Sequence, residues 1–456
     1  MIDSSAPITS PSDADAPVAT STSANTSLTV APWPFALRIA FRFCFVYLGL
    51  FCVTNQPLIG MLTPTLIDVP RLCDMWPLRQ ITIWVAVHLF QINSTLPIDN
   101  GTTGDKTSDW IFLLMTAIVS IVATAVWSLL DRKRTEYSKL HAYFCLFVRI
   151  GLAVQLFAYG LAKVIPLQMP YPPLFKLVEP FGYFSPEGVL WISIGAAQAY
   201  EIFAGFAETI AGVLLIFPRT TVLGALLAMA DMTQVFMLNM TYDVPVKIVS
   251  FHLLLLAVFL LAPDVPRLWA ALFSDQPVPA RNPSPIFRSR RAQRIALAIQ
   301  VIYAVAILGL DLKDGYRLWF IEGGAHPRSQ FYGIWEVEEY SVDGQVRQPL
   351  ITDNGRWHRM IADYPDALRL QLMDDSFVRY LVALDPEKHS LVLTTSGRKD
   401  WQANFRYLRP APEELDLDGE MDSHKIHAHL RLIDLGKKYP LVASKFRWII
   451  DYPAMR

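Results

Sequence analysis

Cysteine is scarce in this chain, and so is net charge. Four cysteines occur among 456 residues; Cys44, Cys52 and Cys145 fall in apolar stretches and Cys73 stands alone in a loop, so a disulfide framework is excluded. A formal net charge of -1 is not the basic field with which nucleic-acid binders neutralise phosphate, and no nucleic-acid partner is expected. The sequence also lacks a Gly-rich phosphate loop, a Gly-x-Ser-x-Gly elbow and an HExxH pair. Those absences argue against nucleotide chemistry, serine hydrolysis and metalloprotease chemistry. His427 and His429 share a strand face, but an exposed alternating pattern accounts for them, and no metal site is assigned. The first 31 residues hold no Lys or Arg. They have neither the basic start of a secretory signal nor the apolar content of a core, so 1–31 reads as a disordered tail.

What the chain has instead is hydrophobic residues, 53% of the total, gathered into segments. Windows of about 20 apolar residues, the length that crosses a bilayer, lie near 33–54, 108–130, 141–165, 196–216, 219–240, 245–262 and 294–311. The reading is therefore an α-helical integral membrane protein of about seven spans. Arg132, Lys133, Arg134 and Lys139 follow the second span, Arg219 follows the fourth, and Arg281, Arg288, Arg290, Arg291 and Arg294 precede the seventh. Positive charge is retained in the cytoplasm, which puts the N-terminus inside and the C-terminus outside. On the outer side, Trp76–Gln91 is apolar but too short to span and reads as an interfacial segment. The Pro-, Phe- and Tyr-rich stretch 166–195 reads as a lid at headgroup level.

From Gly323 the hydrophobic period changes to two. Short β-branched and aromatic runs at 331–341, 356–363, 367–373, 376–384, 389–395, 401–408, 413–419, 424–433 and 445–450 alternate with turns such as Asp343-Gly344 and Asp374-Asp375. This predicts an antiparallel barrel or closed sandwich over 323–456. Gly333-Ile334-Trp335 in the first run and Arg447-Trp448 in the last resemble the lipocalin arrangement, in which an Arg near the C-terminus closes the barrel under a Gly-x-Trp. The organisation expected is thus a tail (1–31), N-terminal spans with an outer loop (32–139), a four-helix core (140–265), a basic linker (266–293), a last span with its connector (294–322) and an all-β, lipocalin-like barrel (323–456).

An ionisable group in hydrocarbon costs at least ~2.5 kcal/mol and needs a partner or a task. Arg149, Gln155, Tyr159 and Lys163 lie on the third span, the last three on one helical face; Glu201 and Glu208 share a face of the fourth among small residues; Asp231 sits mid-way along the fifth; Lys247 and His252 lie on the sixth. Matching depth sorts them into two layers. Arg149, Glu208 and Asp231 fall in a middle layer, Tyr159, Lys163, Glu201, Tyr242, Asp243 and Lys247 near the outer surface, and His252 between. One cation facing two carboxylates suits proton transfer; the alternative is an Arg149–Glu208 salt bridge that only joins helices.

The segments RIGLAVQLFAYGLAK (149–163), YEIFAGFAETIAGVLLIFPRTTVLGALL (200–227) and YDVPVKIVSFHLLLLAVFLLAPD (242–264) resemble the DoxX family of four-helix membrane proteins. In that pattern an Arg and then a Gly-x-x-Lys precede a Glu-containing, Gly-rich helix and a short basic turn. The resemblance covers residues 140–265 and extends more loosely to longer bacterial DoxX-type proteins with an outer C-terminal domain. It implies a redox setting, since some members serve quinone-linked thiosulfate oxidation and others thiol-stress complexes. Three extra spans and the barrel set this chain apart from those small subunits.

The function expected is that of a bacterial inner-membrane protein that binds a quinone or similar lipid and supports redox-linked chemistry, with another membrane or periplasmic redox protein as partner. In it Arg149, Glu208, Asp231 and His252 would do the chemistry, and Tyr159, Lys163, Glu201, Tyr242, Asp243 and Lys247 would hold the ligand. No flavin, haem or iron-sulfur motif is visible, so no cofactor beyond the quinone is expected. The competing reading is a non-catalytic scaffold whose barrel binds a lipophilic ligand or a protein.

Overall fold

The computed structural model describes residues 32–62, 71–92, 104–275, 277–278, 286–287, 289–398, 400–443 and 447–451. The expected disordered tail, and Arg281 and Arg288 of the basic linker, lie outside the described residues.

Among the described residues, seven helical segments are long and apolar enough to cross a membrane, which makes this an α-helical integral membrane protein. In chain order the N-terminal helices are α1 (Phe35–Thr54), the short α2 (Gln56–Leu62) and α3 (Leu78–Phe90), α4 (Thr107–Leu130) and α5 (Ser138–Val164). They are followed by α6 (Pro186–Ala196), α7 (Gln198–Ile216), α8 (Thr221–Thr241), α9 (Lys247–Leu261), α10 (Val265–Phe273) and α11 (Arg290–Ile321). The sixth span combines α9, a 3-10 turn and α10. Most span ends fall within three residues of the sequence reading. The sixth runs on through the 3-10 turn to Phe273, and the last runs through the Asp314-Gly315 pair without a break, so that α11 continues as far as Ile321.

α5 is the central helix, 61% of its apolar window being buried against 17% for α4 and for α11. It packs on α7, α7 on α8, α8 on α9, and α9 returns to α5, while α1, α2 and α11 lean on α5 from outside. The α5–α7 contact is a backbone contact. A Cβ added to Gly205 would lie 2.5 Å from the Gly160 carbonyl oxygen and 2.6 Å from the Val164 amide nitrogen, so only glycine admits this approach.

The C-terminal region contains β1 (Gly333–Val342), β2 (Gln345–Val346), β3 (Trp357–Tyr364), β4 (Ala367–Leu372), β5 (Phe377–Asp385), β6 (Ser390–Thr394), β7 (Gln402–Leu408), β8 (Glu414–Met421) and β9 (His424–Leu432). All pairings are antiparallel. β2 is a two-residue appendage on β1, and the other eight strands close into a barrel because β1 pairs with β3 on one side and β9 on the other. The expected Asp343-Gly344 turn is present, with φ of 51° and 80°, the positive values a tight hairpin turn demands. Aromatic side chains fill the interior: the Trp357 ring stands 5.3 Å from Tyr340 and 5.7 Å from Phe405.

One part of the lipocalin-like reading is corrected. Trp335 is fully buried and its Nε1–H donates to the Phe331 carbonyl, but the guanidinium over its ring, 5.5 Å from the centroid, belongs to Arg409. Arg447-Trp448 is not in a strand, and Trp448 is 91% exposed. The run at 445–450 had no edge to join, since β1 is already paired on both sides. The chain instead leaves the barrel after β9 and turns into two single-turn helices, α12 (Leu435–Lys438) and α13 (Pro440–Ala443).

The stretch 166–195 is also more than a lid. Its first half docks the barrel: Leu174 packs with Ile334, Ile361 and Ile433 on the outer barrel wall, and Arg369 lies over the Phe175 ring at 3.8 Å. The Leu174 N–H donates to Asp363 Oδ2 at 2.8 Å, and burial at this contact holds the Asp363 carboxyl above the usual carboxylate range. Its second half is α6, opened by Ser185, whose Oγ accepts the Gly188 N–H, and by Pro186 at the first helical position.

Candidate functional site

At the end of α5 nearest the barrel-docking stretch, Lys163 Nζ donates to Glu208 Oε1 at 2.6 Å, and Glu208 is 1% exposed. The Gly160–Gly205 contact makes this pair possible. Gly205 lies against Lys163 and Val164 while Gly160 lies against Thr209, so on these antiparallel helices Glu208 is level with the Gly160 turn, and the Lys163 side chain, directed back toward the start of its helix, reaches it.

The pair borders a cavity of about 90 Å³ between α5, α6, α7, α8 and α9. Its polar wall holds Tyr159, Lys163, Gln168, Glu201, Glu208 and Asp231. Leu190, Trp191, Ile194, Val249 and Leu253 supply much of the apolar remainder. Glu201 is fully buried, and its Oε1 accepts the Met169 N–H at 2.9 Å. The Tyr159 hydroxyl donates to Gln56 Oε1 at 2.7 Å, which fixes the phenol from the α2 side. Along the cavity's outer edge, Gln234 Nε2 donates to the Tyr200 hydroxyl at 2.8 Å. Both side chains are exposed on the outside of the bundle, where hydrocarbon offers no other partner.

Five sequence-derived site residues are not at this cavity. Arg149 donates to Thr221 Oγ1 at 3.4 Å and to Gln300 Oε1, far from Glu208. Depth matching failed here because the register of α5 on α7 is set by Gly160 and Gly205, which brings Arg149 level with the far end of α7. His252 turns toward α1: its Nε2 is 2.8 Å from the Tyr47 hydroxyl and its ring stacks on Phe51 at 3.9 Å. Tyr242, Asp243 and Lys247 belong to the α8–α9 turn. Lys247 Nζ donates to Asp243 Oδ1 at 2.9 Å, and Asp105 caps α9 by accepting the Lys247 and Ile248 N–H groups. Asp343, Asp418 and Asp416 hold His424, His427 and His429 on the barrel's outer face. Among the described residues no group of three or more His, Cys, Asp or Glu is placed to hold a metal ion.

Sequence reasoning missed the α6 wall (Leu190, Trp191, Ile194), Gln168 with Met169, and Gln56. The Ser185-Pro186 pair is a helix-start signal that could have revealed α6. Nothing local marks Gln56, which meets Tyr159 only through the packing of α2 on α5.

The fold and the cavity define a multi-pass membrane protein with a closed C-terminal barrel and a partly ionic cavity among its helices. The chain is 32% identical over 143 residues to a Bacillus subtilis (strain 168) protein described as the uncharacterized protein YwoB, a match covering 29% of this chain and 84% of that one, and it belongs to the same family. No family model and no solved structure matches.

Proposed function

We propose that this DoxX-type protein of the bacterial inner membrane binds the head group of a quinone or similar lipid in the α5–α9 cavity and supports redox-linked chemistry there. The observation that carries the reading is a buried Lys163–Glu208 pair with Glu201 and Asp231 on one wall of an otherwise apolar cavity, beside an edge that faces lipid. Buried ionisable groups of this kind are costly to a membrane protein and mark ligand or proton pathways. In this reading Glu208 and Asp231 take and return protons, Lys163 steadies a head-group oxygen, and Tyr159 and Glu201 orient it. Electrons pass to or from a partner redox protein of the membrane or periplasm.

Protein purified in mild detergent should carry a quinone detectable by mass spectrometry, and Lys163→Leu with Glu208→Leu should strip it. No co-purifying quinone, together with no binding of an added short-chain quinone, would sink the proposal in favour of a scaffold. The Arg and Lys asymmetry of the short loops supports an N-terminus in the cytoplasm and a barrel outside. Reporter fusions after Lys133 should then report cytoplasm, and fusions after Gly397 the outer side. A cytoplasmic signal at Gly397 would reverse the topology.

A further inference from the structure

The cavity wall leaves four buried oxygens without a donor. Gln168 Oε1, Glu201 Oε2, Glu208 Oε2 and Asp231 Oδ2 are buried without a hydrogen-bond partner among the described residues, and all four residues line the cavity. Among the donors beside them, Lys163 is bonded to Glu208 Oε1, Gln234 Nε2 to Tyr200, and Asn239 Nδ2 donates to Ser250 Oγ at 3.0 Å, and none of these bonds reaches the four oxygens. A buried acceptor without a donor keeps its desolvation penalty, so the occupant that relieves this wall is one that brings O–H or N–H groups.

We infer that the cavity selects the reduced, hydroquinone form of its ligand over the oxidised quinone. This rests on the reading of the cavity as a quinone or lipid site and deepens it. A hydroquinone carries two phenolic O–H donors on the same ring whose quinone form has only carbonyl acceptors. The two forms fill nearly the same volume, so shape does not separate them and the acceptor-rich wall does. Sites built to hydrogen-bond a ligand hydroxyl discriminate strongly against an analogue lacking it, because their own polar groups are then left unpaired. Gln168 adds a neutral acceptor, whose oxygen does not depend on pH for that role. A lipid ammonium brings N–H donors of similar chemistry and is the competing source.

The test uses the full chain in lipid nanodiscs, titrated anaerobically with decylubiquinol and, separately, with decylubiquinone. In phosphatidylglycerol discs the hydroquinone should bind at least about tenfold more tightly, equivalent to 1.4 kcal/mol. Glu201→Gln retains an oxygen for the Met169 N–H while turning the orphaned oxygen into an amide donor, so it should narrow the gap by raising quinone affinity. Adding phosphatidylethanolamine distinguishes the source: weakened hydroquinone binding there marks the ammonium as a competing occupant and still supports the donor requirement. Equal or tighter quinone binding by the wild-type protein overturns the selection while leaving the cavity a quinone site. If neither form binds, the reading of the cavity falls and this inference falls with it.

Discussion

The helical region and the barrel each bury an apolar core but place their ion pairs differently. The barrel encloses Trp335, Trp357, Leu391 and Leu415 and keeps its ion pairs, such as Lys388–Asp385 and His427–Asp418, on the outer face. The helices turn Ile118, Val122, Ile299 and Ile302 outward and enclose Lys163, Glu201 and Glu208. The difference is one of solvent. Water outside a barrel rewards apolar burial at roughly 25 cal/mol per Å². Lipid outside a helix bundle supplies no such drive, so close backbone contact and polar pairing hold the helices together.

The sharpest way to break this contrast is to remove a charge from each side. Lys163→Leu leaves Glu208 buried without its counter-ion and should cost ~3–5 kcal/mol, read as thermal stability in detergent. The double change Lys163→Leu with Glu208→Leu should recover most of that loss without restoring quinone binding. Lys388→Ala in the exposed barrel pair should change stability by no more than ~1 kcal/mol. Equal losses at the two places would mean the helical interior is wetter than its burial implies. Trp335→Ala should cost ~3–5 kcal/mol, but through lost packing in the barrel interior. Calorimetry should then show the barrel transition moving and the helical one staying.

Gly205→Ala probes the contact that places the site. Its methyl group would collide with the Gly160 carbonyl, and overpacking of this kind costs ~1–3 kcal/mol. Quinone binding should fall further than stability does, because Lys163 and Glu208 shift apart. A variant that binds normally would show that the register of α5 on α7 is not what forms the pair. The smallest effect belongs to the barrel surface. The Asp416 carboxylate bonded to His429 raises the imidazole above its ordinary 6.5. The folded state therefore holds this proton at pH values where the unfolded chain has lost it. The stabilisation is complete below 6.5 and fades as pH rises through the folded value. His429→Gln should flatten that slope in the barrel's thermal stability, and an unchanged pH profile would count against the pair.

These contrasts also explain what could be read in advance. Span positions were legible because bilayer thickness imposes a length on each apolar run. Eight of the barrel strands were legible because alternation and Asp-Gly-type turns are local signals. The carboxylates of the site stood out singly, since Glu208 and Asp231 have no place in an ordinary apolar span. Their company did not. Whether Glu208 meets Arg149 or Lys163 depends on how α5 slides along α7, and that is decided where Gly160 touches Gly205. Arg447 was misread for a related reason: a Gly-x-Trp pair names one side of a contact, and Arg409 reaches the Trp335 ring instead.

Barrel closure has a consequence in time. Ring closure pairs Trp335 with Leu432, about a hundred residues later in the chain, so the first strand waits for the last before its second edge is satisfied. Contacts so distant in sequence form slowly, after a large loop entropy has been met. The docking stretch around Leu174 is synthesised long before Ile433 exists, and the helices have every opportunity to assemble first. For that interval an unclosed sheet with an open β1 edge stands next to the membrane, the period in which a chaperone on that side has the most to protect.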